Sequence, residues 1–359
     1  MAPSRTRSPS RRCGESVGSI PRPHPMFPNG VRRSARLVNA VNESRRHRQL
    51  RAETLQKIYS QQTFMGPILH KMNFETLMSF AATSRLATAM VQGEIKARLQ
   101  RRLEKFIHRK DFARFMEELE RHEGAIVGST AYSLFAYGIP WSDSFYRRHM
   151  VPYNEVQPRD LNVVVPGEQA VPFIKALEGF GYRVRGTDIP REPYFGWAML
   201  MATMVHSESR AEITVTYSRS NVTAVVLSST NTYQMNMITA SRLYCWWPEL
   251  AYRNEGFQVD NRNRRMMPWN QNPMVDVFVN NSHWLNPCGM KCLAISRVTA
   301  NDHRIGVFHY KGTGWTDDVV IADRDLDPLL QDRALCLRVR AECRNFYCSG
   351  WRPFHKRVW

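Results

Sequence analysis

The amino-acid sequence predicts an α/β (α+β) fold made of an N-terminal helical cap, a mixed sheet of four or five strands, and an irregular C-terminal segment. Residues 52–120 predict the cap, because apolar residues recur there every three to four positions. Residues 121–250 predict the sheet, since short apolar runs alternate with turn residues and helical stretches. Residues 251–359 lack such a pattern apart from a helix predicted at 333–344, so we expect them to pack on the sheet as an extension.

Residues 1–51 are predicted to form a disordered, strongly basic tail. They contain twelve Arg and no Lys against two Glu, a difference of +10 out of a formal net charge of +18. Their few apolar residues cannot bury enough surface to offset the entropy lost on ordering. The Arg clusters are typical of a nuclear-import signal or of an arm that binds nucleic acid such as RNA. The alternative is a solvated tail with neither role.

Cysteine content and hydropathy restrict the compartment in which the protein works. Seven cysteines that form no dense framework favour free thiols in a reducing compartment. The first thirty residues lack the apolar core of a secretory signal, and no segment approaches the roughly 18 consecutive apolar residues of a membrane helix. We therefore expect a cytoplasmic or nuclear protein that has no membrane partner.

The helical cap is predicted to consist of several short helices. Pro67 suits the first turn of one helix, and Thr83 with Ser84 suits a break or an N-cap. Residues 106–119 predict a further amphipathic helix.

The cap contains the run Leu77-Met78-Ser79-Phe80-Ala81-Ala82-Thr83-Ser84-Arg85, followed by Met90-Val91. With these residues the stretch 66–99 resembles the F-box, a three-helix module that docks on the adaptor protein of a ubiquitin ligase. The usual Leu-Pro-x-Glu opening of that family is absent. The alternative to docking is a cap that only covers the next domain. The resemblance implies a partner-binding face at Ile68, Leu77, Met78 and Met90.

The sheet region begins with an apolar strand at 124–131 that turns through Gly128 and Ser129 into a helix. Gly181 is expected to end the helix predicted at 169–180 in the left-handed conformation, with a positive backbone φ. The pattern predicts, after the first strand, a helix at 132–137, a strand at 159–166, a helix at 169–180, strands at 182–185, 211–217 and 223–226, and a helix at 229–246.

Three short motifs in this region have the order of a site that transfers a nucleotide. They are Gly128-Ser129, Asp160-Leu161-Asn162 and Glu212-Ile213-Thr214-Val215. Residues two positions apart on a strand point to the same face, so two carboxylates with this spacing can hold one Mg²⁺ ion. A Gly-Ser corner after the preceding strand lets phosphate groups approach the backbone. A carboxylate on a neighbouring strand would complete such a site.

With these motifs the chain resembles the nucleotidyltransferase superfamily. It is more closely similar to uncharacterised fungal proteins that join an F-box-like helical segment to a degenerate domain of this kind. Those proteins carry a run like Met235-Asn236-Met237-Ile238-Thr239 on a helix after the third strand. The resemblance covers roughly residues 64–250 and implies nucleotide binding at Gly128 and Ser129. It implies carboxylate positions at Asp160, Asn162, Glu212 and Thr214.

Two of these positions depart from the superfamily pattern. Asn162 replaces the second Asp, and Thr214 occupies the place of the third carboxylate, with Glu212 one same-face position earlier. Asp160 alone is a weak ligand for Mg²⁺, whose dehydration is expensive. We therefore expect a non-catalytic pseudoenzyme that acts as a binding or adaptor protein without a cofactor. The alternative is an active Mg²⁺-dependent nucleotidyltransferase acting on a protein, an RNA or a small hydroxyl compound, with Asp160 and Glu212 holding the metal and Ser129 contacting phosphate.

The C-terminal segment offers a second set of metal ligands. They are Cys288 and Cys292, with His283 upstream and Cys336, Cys343, Cys348 and His355 downstream. Tight Cys-x2-Cys pairs are missing, so the spacing does not favour a zinc site. The sequence also lacks a phosphate-binding loop and a His-Glu-x-x-His motif, which leaves NTPase and metalloprotease functions without support.

Overall fold

The structure is a computed structural model. Apart from a few single positions, it describes residues 40–51, 62–135, 160–190, 196–259, 275–299, 305–311, 336–339 and 342–348. The chain divides into two compact units, residues 1–60 and 61–359. The domain boundaries predicted after residues 120 and 250 fall inside the second unit.

The first unit contributes helix α1, residues 40–51. These residues are exposed, and Arg48 Nη2 donates a hydrogen bond to Ser44 Oγ across one helical turn (3.2 Å). Most of the stretch consists of Ala, Glu, Arg, Gln and Leu, which favour a helix. This part of the predicted tail is therefore helical. The rest of the tail, residues 1–39, lies outside the described residues.

The described residues of the second unit contain eight α-helices. In chain order they are α2 (Gln62–Lys71), α3 (Phe74–Ala81), α4 (Arg85–Leu103), α5 (Phe112–Arg121), α6 (Gly128–Phe135), α7 (Gly167–Glu178), α8 (Val222–Leu227) and α9 (Pro248–Ala251). None of them is both long and apolar enough to cross a membrane.

Helices α2, α3 and α4 form the N-terminal part of the predicted cap. Asn73 and Ser84 cap α3 and α4, because each accepts a hydrogen bond from the backbone N–H three residues on. Pro67 lies inside α2 and not in the first turn of a helix, so that prediction was wrong. The buried side chains of Met65 and Leu69, one turn apart, hold this part of the chain helical.

The buried side chain of Arg98 in α4 closes the C-terminal end of α2. Its guanidinium donates hydrogen bonds to the carbonyl oxygens of Leu69 and Met72, both at 2.7 Å, and pairs with Glu94 at 2.9 Å. Carbonyl groups at the end of a helix have no partner within that helix. Arg98 therefore satisfies these acceptors while Glu94 balances its charge.

The described residues form twelve strands. They are β1 (Ala125–Val127), β2 (Leu161–Pro166), β3 (Tyr182–Asp188), β4 (Ala198–His206), β5 (Glu212–Ser218), β6 (Asn236–Ile238), β7 (Arg242–Cys245), β8 (Glu255–Phe257), β9 (Asp276–Phe278), β10 (Arg297–Val298), β11 (Gly306–His309) and β12 (Cys336–Leu337). Eight of them form one mixed sheet in the order β11-β7-β6-β1-β2-β5-β4-β3, in which β2 and β5 run parallel. Strand β8 pairs with β9, and β10 pairs with β12. The mixed α/β class is confirmed, with more strands than the four or five predicted.

Three predicted elements are replaced by a different secondary structure. Residues 223–226 belong to helix α8 and not to a strand, because Asn221 caps that helix by accepting a hydrogen bond from Ala224 N–H (2.8 Å). Residues 229–246 contain β6 and β7 and not one helix, since a turn between Thr239 and Arg242 reverses the chain within the sheet. In the region of the predicted helix 333–344, residues 336–337 form strand β12.

The large sheet separates two hydrophobic cores. One face buries Ile126, Val163 and Val215 together with the helices α2 to α7. The opposite face buries Ala125 and Val164 with α8 and with apolar residues of the C-terminal segment. Alternate residues of β1 and β2 thus enter different cores, as side chains of a strand alternate between faces.

Candidate functional site

Strands β1, β2 and β5 lie side by side and bring the predicted motifs into one row. Asn162 of β2 pairs in register with Val127 of β1 and with Thr214 of β5. Residues paired across neighbouring strands point to the same face, so Asn162 and Thr214 are neighbours on that face. Gly128 directly follows Val127, which places the Gly-Ser corner next to this row.

Gly128 forms the corner between β1 and α6. Its backbone φ is +71°, a conformation that favours glycine. A Cβ atom at this position would lie 3.5 Å from Asn162 Nδ2, so the backbone of the corner approaches the Asn162 side chain closely. Helix α6 starts at Gly128 itself and not at Tyr132 as predicted, and Ser129 therefore lies in its first turn.

Asp160 lies directly before β2, and its carboxylate is bound by Asn162. The amide Nδ2 of Asn162 donates a hydrogen bond to Asp160 Oδ2 at 2.8 Å. Both residues are partly buried. The amide of Asn162 therefore occupies one oxygen of the Asp160 carboxylate.

Glu212 is the first residue of β5 and forms an ion pair with Arg185 of β3. Because β2 and β5 are parallel, Glu212 and Asp160 lie at the same end of the sheet. Thr214, two residues on, lies between Asn162 of β2 and Thr203 of β4 in the strand register. The carboxylate of Glu212 is thus paired with a guanidinium.

The side chains of this row are better suited to hydrogen bonding than to binding a metal ion. Asn162, Thr214 and Thr203 are neutral, while the two carboxylates at its end each have an internal partner. Mg²⁺ prefers charged oxygen ligands because its dehydration is costly. The arrangement offers little negative charge to an ion, although Glu212 keeps 40 % of its side chain exposed.

The run Met235–Thr239 lies in the sheet and not on a helix. Asn236 to Ile238 form β6, which pairs with β1 through Met237 and Val127. The side chain of Asn236 is buried and donates a hydrogen bond to the carbonyl oxygen of Tyr233 (2.6 Å). This asparagine therefore holds the turn that leads into β6.

The four residues predicted to bind a partner differ in exposure. Leu77 is fully buried, whereas Met78 and Met90 are partly buried and pack against the same core. Ile68 on α2 is 39 % exposed. An interface on this part of the cap would use Ile68 directly, while Leu77 supports the helices from inside.

Four thiols that the spacing did not favour as a metal site come together in the C-terminal segment. The Sγ atoms of Cys288, Cys292, Cys343 and Cys348 all lie within 4.8 Å of one another. His283 instead stacks on Phe278, with ring centroids 4.1 Å apart. Cys336 begins β12, and His355 lies outside the described residues. The signal in the sequence is two loose pairs, Cys-x3-Cys and Cys-x4-Cys, which a search limited to Cys-x2-Cys misses.

Comparisons of the chain with protein-family models, with curated proteins and with solved structures gave no match. Its function must therefore be inferred from the geometry of the described residues.

Proposed function

We propose that the chain is a non-catalytic, nucleotidyltransferase-like binding or adaptor protein. The hydrogen bond from Asn162 to Asp160 is the observation that carries this proposal. In an active site of this kind both positions would hold carboxylates free to bind Mg²⁺. Here an amide occupies one position and also binds the carboxylate at the other.

The strand order supports the nucleotidyltransferase-like part of the proposal. The Gly-Ser corner follows β1, the Asp-x-Asn motif enters β2, and Glu212 enters β5, three strands that are adjacent in the sheet. These are the relative positions that such a site needs. Glu212 is paired with Arg185, which lowers the negative charge available to a metal ion.

The helical cap supports an adaptor role. Helices α2, α3 and α4 follow one another along the chain, and the α2 residue Ile68 is exposed. In the proposed docking role, Ile68 would contact the adaptor protein of a ubiquitin ligase. The F-box-like segment would then link the sheet domain to the ligase.

Calorimetry of the full chain with Mg²⁺ and with each nucleoside triphosphate tests the proposal. We expect no heat of binding for the natural chain. The double variant Asn162→Asp with Thr214→Asp should gain affinity for Mg²⁺, because two new carboxylates would then lie beside those of Asp160 and Glu212. The double variant Thr76→Asp with Ser79→Asp on the exposed side of α3 adds the same charge away from the site and is the control.

Strong binding of Mg²⁺ and a triphosphate by the natural chain would contradict the proposal. It would favour the second candidate, an active Mg²⁺-dependent nucleotidyltransferase that uses Asp160 and the partly exposed Glu212. No gain in the double variant would show that Thr214 does not occupy the third carboxylate position.

A further inference from the structure

We propose that Cys288, Cys292, Cys343 and Cys348 bind one Zn²⁺ ion in a tetrathiolate site. The proposal is independent of the function proposed above, since none of the four cysteines belongs to the row at Asn162 and Thr214.

The distances between the sulfur atoms fit a single ion. Cys288 Sγ lies 3.6 Å from Cys343 Sγ, and Cys348 Sγ lies 3.8 Å from Cys292 Sγ. A tetrahedral Zn²⁺ ion with Zn–S bonds of about 2.3 Å separates its sulfur ligands by about 3.8 Å. All four sulfurs lie within 4.8 Å of one another, so one ion can contact each of them.

Two tight turns present the thiols in pairs. Cys288 and Cys292 flank a single 3-10 turn, Gly289–Lys291, which starts at a glycine with φ +52°. Cys343 and Cys348 flank a second turn, in which Cys348 N–H donates to the carbonyl oxygen of Asn345 (3.1 Å). Each turn brings the two cysteines at its ends to the same side, as in zinc sites built from paired ligands.

Buried amide groups surround the sulfur atoms and donate hydrogen bonds to them. Asn281 Nδ2 donates to Cys288 Sγ at 3.2 Å and to Cys343 Sγ at 3.3 Å, and Asn345 Nδ2 donates to Cys288 Sγ at 3.2 Å. Both asparagines are almost fully buried, with 1 % and 0 % exposure. Burying an amide is costly unless it is hydrogen-bonded, and donors around a metal-bound thiolate stabilise its charge.

The same two asparagines fix the turn that carries Cys343 and Cys348. Asn281 Oδ1 accepts a hydrogen bond from Arg344 N–H at 3.0 Å, and Asn345 Oδ1 accepts one from Tyr347 N–H at 2.8 Å. Each side chain thus joins the backbone of the second turn to the sulfur atoms. Such an outer shell orients metal ligands in proteins.

The ligand set selects the kind of ion. Four thiolates are soft ligands in a compact arrangement, which suits Zn²⁺, whereas Mg²⁺ and Ca²⁺ prefer oxygen. An iron–sulfur cluster would insert several iron and sulfide atoms between the cysteines, and sulfurs this close together leave room for one ion only. All four cysteines are buried, so the site would have a structural role without an open coordination position.

The ion would hold together a part of the chain with few regular elements. The four cysteines form a small core with Trp284 and Ala294, and the nearby strands β10 and β12 have two residues each. Metal ligation can replace a hydrophobic core that is too small to be stable alone. The zinc site would therefore join the two turns, which are about fifty residues apart in sequence.

Metal analysis of the full chain, purified with a thiol reductant and without added chelator, tests the inference. We expect one zinc ion per chain by plasma mass spectrometry and a matching mass shift in native mass spectrometry. Replacement by Co²⁺ should give the absorption bands of a tetrahedral tetrathiolate complex. The variant Cys245→Ser is the matched control, because Cys245 is a buried cysteine outside the cluster and should leave the zinc content unchanged.

Two variants test whether Cys292 and Cys348 are ligands of the zinc ion. Cys292→Ser should lose the ion, and Cys348→His, which keeps a zinc-binding side chain, should retain it. If Cys292→Ser fails to fold, the zinc content of the natural chain still decides the question. A natural chain with no zinc after reconstitution under reducing conditions, with iron in its place, or with disulfides between these four cysteines would overturn the proposal.

Discussion

The side-chain amide of Asn162 donates a hydrogen bond to the carboxylate of Asp160 across 2.8 Å. The two residues lie at one end of β2, next to the glycine corner at Gly128, whose φ is +71°. An amide in this position binds the carboxylate without adding charge. In the proposed nucleotidyltransferase-like site, this contact occupies a carboxylate that a metal ion would need.

Removing this amide should destabilise the fold. Asn162→Ala leaves the partly buried carboxylate of Asp160 without this donor, so we expect a loss of about 1–2 kcal/mol in the free energy of unfolding. Urea denaturation followed by circular dichroism measures the change. Ser79→Ala on the exposed side of α3 is the control. Equal stability of both variants and the natural chain would mean that the Asn162 contact contributes nothing.

Arg98 should contribute strongly to the stability of the helical cap, whereas Arg101 should contribute little. Both side chains pair with Glu94, but Arg98 is 1 % exposed and Arg101 is 44 % exposed. Arg98→Met removes the buried partner of the Glu94 carboxylate and the donor to the carbonyls of Leu69 and Met72, so a loss of about 3–5 kcal/mol is expected. Arg101→Met should cost less than about 1 kcal/mol. Chemical denaturation of both variants checks the contrast, and similar losses would contradict it.

The thiol of Cys245 should make stability fall at alkaline pH. Burial raises the pKa of this thiol to about 12. Above about pH 8.5 the unfolded chain releases a proton that the folded chain keeps, so rising pH favours unfolding. The unfolding free energy of Cys245→Ala should therefore fall less steeply between about pH 8 and about pH 10 than that of the natural chain. Denaturation at a series of pH values measures this difference. Equal slopes of unfolding free energy against pH for the two chains would show that the thiol does not contribute to the loss of stability.

The F-box-like segment should bind the ubiquitin-ligase adaptor through Ile68. Ile68→Asp should abolish capture of the purified adaptor and change stability by less than about 0.5 kcal/mol, since Ile68 is exposed. Leu77→Ala should instead cost about 2–5 kcal/mol, because Leu77 is fully buried. A pull-down combined with thermal denaturation separates the two effects. If the natural chain captures no adaptor, the cap has no docking role of this kind.

Local signals in the sequence were sufficient for some elements of the fold. Gly181 has the positive φ that its place after a helix predicted, at +89°. Strand β5 lies within one residue of the predicted strand, and the Ser84 cap of α4 is present. In these places the residue type alone determines the local backbone, because glycine, capping side chains and β-branched runs have strong preferences.

The remaining elements depend on contacts between different segments of the chain and not on the residue types within one segment. Strand β4 was missed because its run of Met and Ala residues has little strand preference, and pairing with β3 and β5 decides its conformation. The four thiols were missed as a group for a similar reason. Cys288 and Cys343 are far apart along the chain, and only the fold brings their sulfur atoms to 3.6 Å.

Nucleotide transfer by the full chain is the most direct test of the central claim. The chain is incubated with Mg²⁺ and each labelled nucleoside triphosphate, with RNA and with protein acceptors, and any label on the acceptors or on the chain itself is measured. We predict no transfer by the natural chain and none by Asp160→Ala. The carboxylates of Asp160 and Glu212 are already paired with Asn162 and Arg185. Transfer by the natural chain that Asp160→Ala abolishes would contradict the claim that Asn162 has made the site non-catalytic.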